Sequence, residues 1–101
     1  MAVLTASSAD GTELIIKIKG RFDFSTLQEF RNAYEQAPLE MSSYVVDLKD
    51  ATYLDSSALG MLLLLRDHAG GDSSQVKIVN CNADVKKILS ISNFEQLFTI
   101  V

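Results

Sequence analysis

Tyr44-Val45-Val46-Asp47-Leu48-Lys49-Asp50-Ala51-Thr52-Tyr53-Leu54-Asp55-Ser56-Ser57-Ala58-Leu59-Gly60-Met61-Leu62-Leu63-Leu64-Leu65 is the stretch that decides the fold of this chain. Its opening run, Tyr44 to Leu48, is short and apolar, as expected of a central strand, and it leads through Lys49 to Leu54 toward two serines. From Ser57 the stretch turns into a strongly apolar helix. A strand that feeds a helix leaves the first helical N–H groups free, and such a junction attracts a capping side chain or an anion. A serine there either caps the helix or carries a phosphate, and the local residues leave both options open.

Working outward, Leu14 to Lys19 is rich in β-branched residues and shifts into apolar/polar alternation, so it is expected to be a half-buried strand that Gly20 stops. Val3 to Ser8 is expected to pair with it as an edge strand across the hairpin dipeptide Asp10-Gly11. From Ser25 the period changes. Leu27, Phe30, Tyr34 and Ala37 recur at helical spacing, with Gln28, Glu29, Arg31, Asn32 and Glu35 on the other side. Ser25 and Gln28 match a capping box, and Pro38 marks where that helix must already have ended. The helix after the serines is expected over Ser57 to Ala69, closed by Gly70-Gly71. Val76 to Val79 follows as a strand, Asp84 to Ser92 as a helix with Val85, Ile88 and Leu89 on one face, and Phe98 to Val101 as a last short strand. The order ββαβαβαβ implies an α/β fold, a mixed sheet of about four or five strands with three or more helices packed on it, in one domain spanning residues 1–101.

Composition narrows the function. At 101 residues, 48% apolar and 22% charged, the chain suits one compact domain and leaves no room for separate cofactor and substrate halves. Nine Lys and Arg against thirteen acids, a net charge of −4, argue against nucleic acid as a partner. The only cysteine, Cys81, has no internal partner, and no basic region followed by an apolar core opens the chain, so a reduced, cytoplasmic setting is expected. The longest apolar stretch, Ala58 to Leu65, is far below the ~20 residues that cross a bilayer, so no direct membrane insertion is expected.

Catalysis finds little support. A serine nucleophile needs an adjacent base, and the one histidine, His68, lies along the same predicted helix at ~1.5 Å per residue, roughly 18 Å from Ser56. No Gly-x-Ser-x-Gly elbow, metal-ligand spacing or phosphate-binding glycine loop is present, so no catalytic residue, metal or cofactor is assigned. His68 is expected to be a solvated or packed helix residue, and Cys81 a small buried one. A different option is that a serine is itself the substrate. Phosphorylation would add about −1.5 to −2 charges where the helix dipole favours an anion, partly offset by Asp55 beside it. A partner covering that surface would feel the new charge more than the fold does. Leu63 and Leu64 fall off the core stripe of Ala58, Leu62, Leu65 and Ala69. They form either a docking patch or a surface that neighbouring elements cover.

Asp55-Ser56-Ser57-Ala58-Leu59-Gly60 after the Val45-Val46-Asp47-Leu48 strand resembles the signature of STAS domains, the family of bacterial anti-sigma factor antagonists. Gly20-Arg21-Phe22-Asp23 is similar to the family's glycine-x-hydrophobic-aspartate turn, and Val76-Lys77-Ile78-Val79-Asn80 with the Val85-Lys86-Lys87-Ile88-Leu89 helix to its C-terminal half. The resemblance covers nearly the whole chain. It implies a STAS-like sandwich and makes Ser56, directly after the aspartate, the regulatory phosphoserine. Asp55 and Ser57 then frame the site, with Asp23 in a loop beside it, and Ala58 stands where the family usually has glycine. The implied partners are a serine-kinase, anti-sigma-type regulator and a metal-dependent Ser/Thr phosphatase, as two proteins or one bifunctional protein, in signalling that controls transcription. The implied alternative is an accessory STAS subunit of a membrane ABC transporter that docks its ATPase.

Overall fold

The computed structural model describes residues 3–37 and 42–101. Within them the order is β1 (Val3–Ser7), β2 (Glu13–Phe22), α1 (Leu27–Glu35), β3 (Ser43–Leu54), α2 (Ser56–His68), β4 (Val76–Val79), α3 (Ala83–Ile91) and β5 (Thr99–Ile100). This is the ββαβαβαβ order expected. The five strands form one sheet in the order β1-β2-β3-β4-β5, antiparallel between β1 and β2 and parallel thereafter.

Every parallel crossover moves in the same direction along this sheet. Right-handed crossovers taken in one direction put all three helices on the same face. Burial follows that rule: Leu14, Ile16, Ile18, Tyr44, Val46, Leu48, Val76 and Ile78 are buried beneath the helices. Ile15, Lys17, Val45, Asp47, Lys77 and Val79 alternate with them and are half-buried or exposed on the other face. The core closes with Phe30 and Tyr34 from α1, Ala58, Met61, Leu62 and Leu65 from α2, and Val85 and Leu89 from α3.

Two departures from the sequence pattern shape the upper end of the sheet. Gly20 does not stop β2: with φ +79° it absorbs a kink, and the strand continues to Phe22. The β2–β3 register slips between Lys17 and Lys19 and again between Gly20 and Arg21, so β3 carries two extra residues there. Buried positions along β3 change accordingly from every second residue (Tyr44, Val46, Leu48) to every third (Ala51, Leu54). The bulged strand delivers Leu54 to the core beside Phe22 and leaves Asp55 at the mouth of α2.

Helix starts also differ from expectation. Ser25 is not the cap of α1; it lies in a 3-10 turn, Phe24–Thr26, whose cap is Asp23, and Thr26 precedes α1 without a side-chain cap. Gln28 instead donates along the helix to Asn32. Ala37 lies beyond the end of α1, half-buried against the core, while Pro38 lies outside the described residues. The last strand is shorter than expected, Thr99–Ile100, because Phe98 turns inward and stacks on Phe94. Cys81 is half-buried rather than buried, and burial pushes its thiol pKa up. Among the described residues no helix is long and apolar enough to cross a membrane.

Candidate functional site

The candidate site sits where β2 and β3 end. Neither serine caps α2. Asp55, in an extended conformation, accepts from the Ala58 N–H at 3.1 Å and is the cap itself. Ser57 donates its hydroxyl to the same carboxylate oxygen. Ser56 is the first residue of α2, exposed, and its hydroxyl makes no hydrogen bond among the described residues. The division of labour is clear: Asp55 holds the helix start, Ser57 holds Asp55, and Ser56 is left unengaged.

Asp23 supports the neighbouring loop in the same way. Its carboxylate accepts from the Ser25 N–H at 3.0 Å and from the Ser25 hydroxyl, and its second oxygen accepts from Arg21 Nε at 3.0 Å. Thr26, the one buried polar residue among the described residues, donates to the Asp23 carbonyl at 2.7 Å and ties the turn to the core. Arg21 pairs with Tyr53 across the strands, and its guanidinium carbon lies 4.1 Å from the centre of the Tyr53 ring. Asp23 and Asp55 are close enough for the charge of one to act on the other. The structure therefore gathers Asp23, Asp55, Ser56 and Ser57 and adds Arg21 and Tyr53, which the sequence did not single out. Phe24, 71% exposed, stands in the same loop.

The carboxylates here titrate low. The Ser57 hydroxyl holds Asp55 below its ordinary value of 3.8, and the Ser25 hydroxyl and then Arg21 do the same for Asp23. In the β1–β2 hairpin, Asp10 is lowered from 3.8 to about 2 by hydrogen bonds from Ser8 and Thr12. A folded-state pKa below the unfolded one stabilises the fold above the unfolded value, and that contribution is lost as pH falls through the folded one. Stability is therefore expected to be flat near neutrality and to fall as pH drops from about 4 to about 2. Urea unfolding at pH 7, 4 and 2.5 checks this, and Asp55→Asn is expected to lower stability at pH 7 and to flatten the acid limb.

Along α2, positions near Ser56 form one face. At about 100° per residue, Gly60, Leu63, Leu64 and Asp67 fall within roughly 80° of it, opposite Ala58 and Leu65. Leu63 is 41% and Leu64 52% exposed, so among the described residues no element buries them. A Cβ on Gly60 would meet nothing within 4 Å, although glycine inside a helix costs about 0.5–1 kcal/mol against alanine. The face is thus shallow in the middle with leucines beyond. Ala58 is fully buried, so its methyl group points away from anything that approaches Ser56. His68, at the far end of α2, packs its ring 4.8 Å from that of Tyr34. It is bound up with α1, a helix length from Ser56.

Comparison with known proteins agrees with this architecture. The family model described as Mlab, STAS domain, matches residues 5–101. A STAS-domain containing protein of Pseudomonas aeruginosa is 63% identical over 100 residues, covering 99% of both chains. Among solved structures, the anti-sigma factor antagonist SpoIIAA in its unphosphorylated form superposes with a TM-score of 0.72 at 13% identity, covering 99% of this chain and 87% of that one. The Bacillus cell fate determinant SpoIIAA in its phosphorylated form gives 0.70 at 13% identity, covering 99% and 91%. A sheet wound in one direction, an aspartate-capped second helix and a family match over nearly the whole length lead to one assignment: the chain belongs to the STAS family.

Proposed function

We propose that this chain is a non-catalytic regulatory binding module of the anti-sigma factor antagonist type, switched by reversible phosphorylation of Ser56. The observation that carries the proposal is the unengaged hydroxyl of Ser56 on the same α2 face as Leu63 and Leu64. With ATP as donor and ADP as the leaving group, a kinase can take the Ser56 proton as the hydroxyl oxygen forms its bond to the γ-phosphorus, without breaking a hydrogen bond of the fold. The added charge of about −1.5 to −2 would then stand beside apolar side chains that a partner must cover. Leaving such a charge unpaired in an interface costs several kcal/mol, so the unphosphorylated form is the binding form. Asp23, Asp55 and Ser57 shape the site without reacting. The partners expected are a serine-kinase, anti-sigma-type regulator in the cytoplasm and a phosphatase that restores binding. Fold likeness to the anti-sigma factor antagonist SpoIIAA, solved in both unphosphorylated and phosphorylated forms, supports this reading.

The test is binding of Ser56→Ala and Ser56→Asp to the regulator retrieved with the wild-type chain. Ser56→Ala is expected to bind like the wild type and Ser56→Asp at least tenfold more weakly, about 1.4 kcal/mol. Equal affinities would sink the switch. The second reading, an accessory subunit docking a transporter ATPase, draws on the same exposed leucines without needing Ser56. Equal affinity of both variants for a co-purifying ABC ATPase would favour it.

A further inference from the structure

The geometry points to Arg21 as the residue that holds the phosphoryl group once Ser56 carries it. This inference rests on Ser56 being the acceptor, as proposed above, and adds what receives the charge inside the molecule. Arg21 is the cation that the fold presents at this rim already oriented. Its Nε donates to Asp23 at 3.0 Å, and its guanidinium plane is braced by the Tyr53 ring. Its two terminal nitrogens make no hydrogen bond among the described residues, so the fork that matches phosphate oxygens is free. The side chain is 64% exposed, so no burial prevents it from swinging toward a new anion.

Reach is adequate. Arg21 is in register with Tyr53 and Phe22 with Leu54, and Asp55 continues the chain in an extended conformation before Ser56. Three residues of extended chain and one strand spacing, about 10 Å and 4.8 Å, put the two Cα atoms roughly 11 Å apart. Phe22 and Leu54 point into the core, so Arg21 and Tyr53 lie on the opposite face of the strand ends, and the guanidinium arm meets a phosphoserine at position 56 by swinging over the rim. The Asp55 charge already acts on Arg21 in the resting state. Asp23 and Asp55 are the opposing terms, because both repel a phosphate. Without Arg21, a phosphoryl group on Ser56 would add its charge to two carboxylates and lack the guanidinium that Asp23 now holds. With Arg21, it competes for a guanidinium that Asp23 holds by one nitrogen.

The experiment uses the whole chain with phosphoserine incorporated at position 56 during translation, so no kinase is required. Phosphorus NMR follows its second ionisation, ordinarily near pH 6. A neighbouring guanidinium favours the dianion, so Arg21→Gln is expected to raise that pKa by about half a unit, and Arg21→Lys, which keeps charge but loses the fork, to recover part of the shift. Before phosphorylation, Arg21→Gln is expected to melt within a few degrees of the wild type, as an exposed substitution should. Identical phosphoserine titrations in wild type and Arg21→Gln would overturn the assignment while leaving the switch intact. Failure of the switch itself would appear instead as equal partner affinity of Ser56→Ala and Ser56→Asp, with this titration unaffected.

Discussion

Leu62→Ala is expected to cost about 3–5 kcal/mol of unfolding free energy, the upper part of the range for emptying a well-packed leucine site. Leu62 is fully buried, on the side of α2 that carries Ala58, Met61 and Leu65 into the layer between helices and sheet. That layer has helices on one side only, so α2 is the central element of a two-layer core and has no second layer to collapse from. A domain of this size melts roughly 4–8 °C lower per kcal/mol lost, which places the fall at about 12 °C or more. Calorimetry on the purified variant measures it. A loss below about 1 kcal/mol would mean that α2 packs loosely at its midpoint, contrary to the burial of four side chains along it.

How much of this was legible in the sequence depended on how local the signal was. The strand at Val45 and Val46, the amphipathic α1 and the helix after the serines carry their period within a few residues, so element order and fold class could be read directly. The bulges at the upper end of β3 could not. Their mark is the change of apolar spacing from Val46-Leu48 to Leu48-Ala51-Leu54, and a spacing of three inside a strand imitates a loop or a helix when the partner strand is unknown. Gly20 was misleading for a related reason: a positive φ ends most strands but here absorbs the kink of a bulged pair.

Capping was ambiguous wherever an aspartate and a serine stand close together, since both residue types accept from a free N–H. At both sites the aspartate took the cap and the serine became its donor, Asp23 with Ser25 and Asp55 with Ser57. A carboxylate accepts two such bonds at once and draws more from the helix dipole than a hydroxyl does. That preference freed Ser56. Arg21 and Tyr53 were invisible as site residues because only the parallel register, set by residues far apart in the chain, brings them to the same rim as Asp23 and Asp55.

The counterpart of Leu62→Ala is the double variant Leu63→Arg, Leu64→Arg, which alters the next two residues of the same helix and is expected to have the opposite profile. Both side chains already face water, so the fold loses little: surface substitutions cost within about 0.5 kcal/mol each, a few degrees of melting temperature. With the leucine face as the docking surface proposed above, binding to the regulator is expected to fall at least 100-fold, about 2.8 kcal/mol, because two cations would replace its apolar groups. Ser56 stays intact in this variant, so its phosphorylation rate separates two possibilities. A kinase that docks through the leucine face would modify the variant slowly at low concentration and recover at saturating substrate, as expected when only docking is lost. A kinase that reads the serine loop alone would modify it at the wild-type rate, and the leucines would then belong only to the stable complex. Affinity within about threefold of wild type, under 0.7 kcal/mol or so, would show that the partner does not use this face, and the exposed leucines would have to be ordinary surface residues.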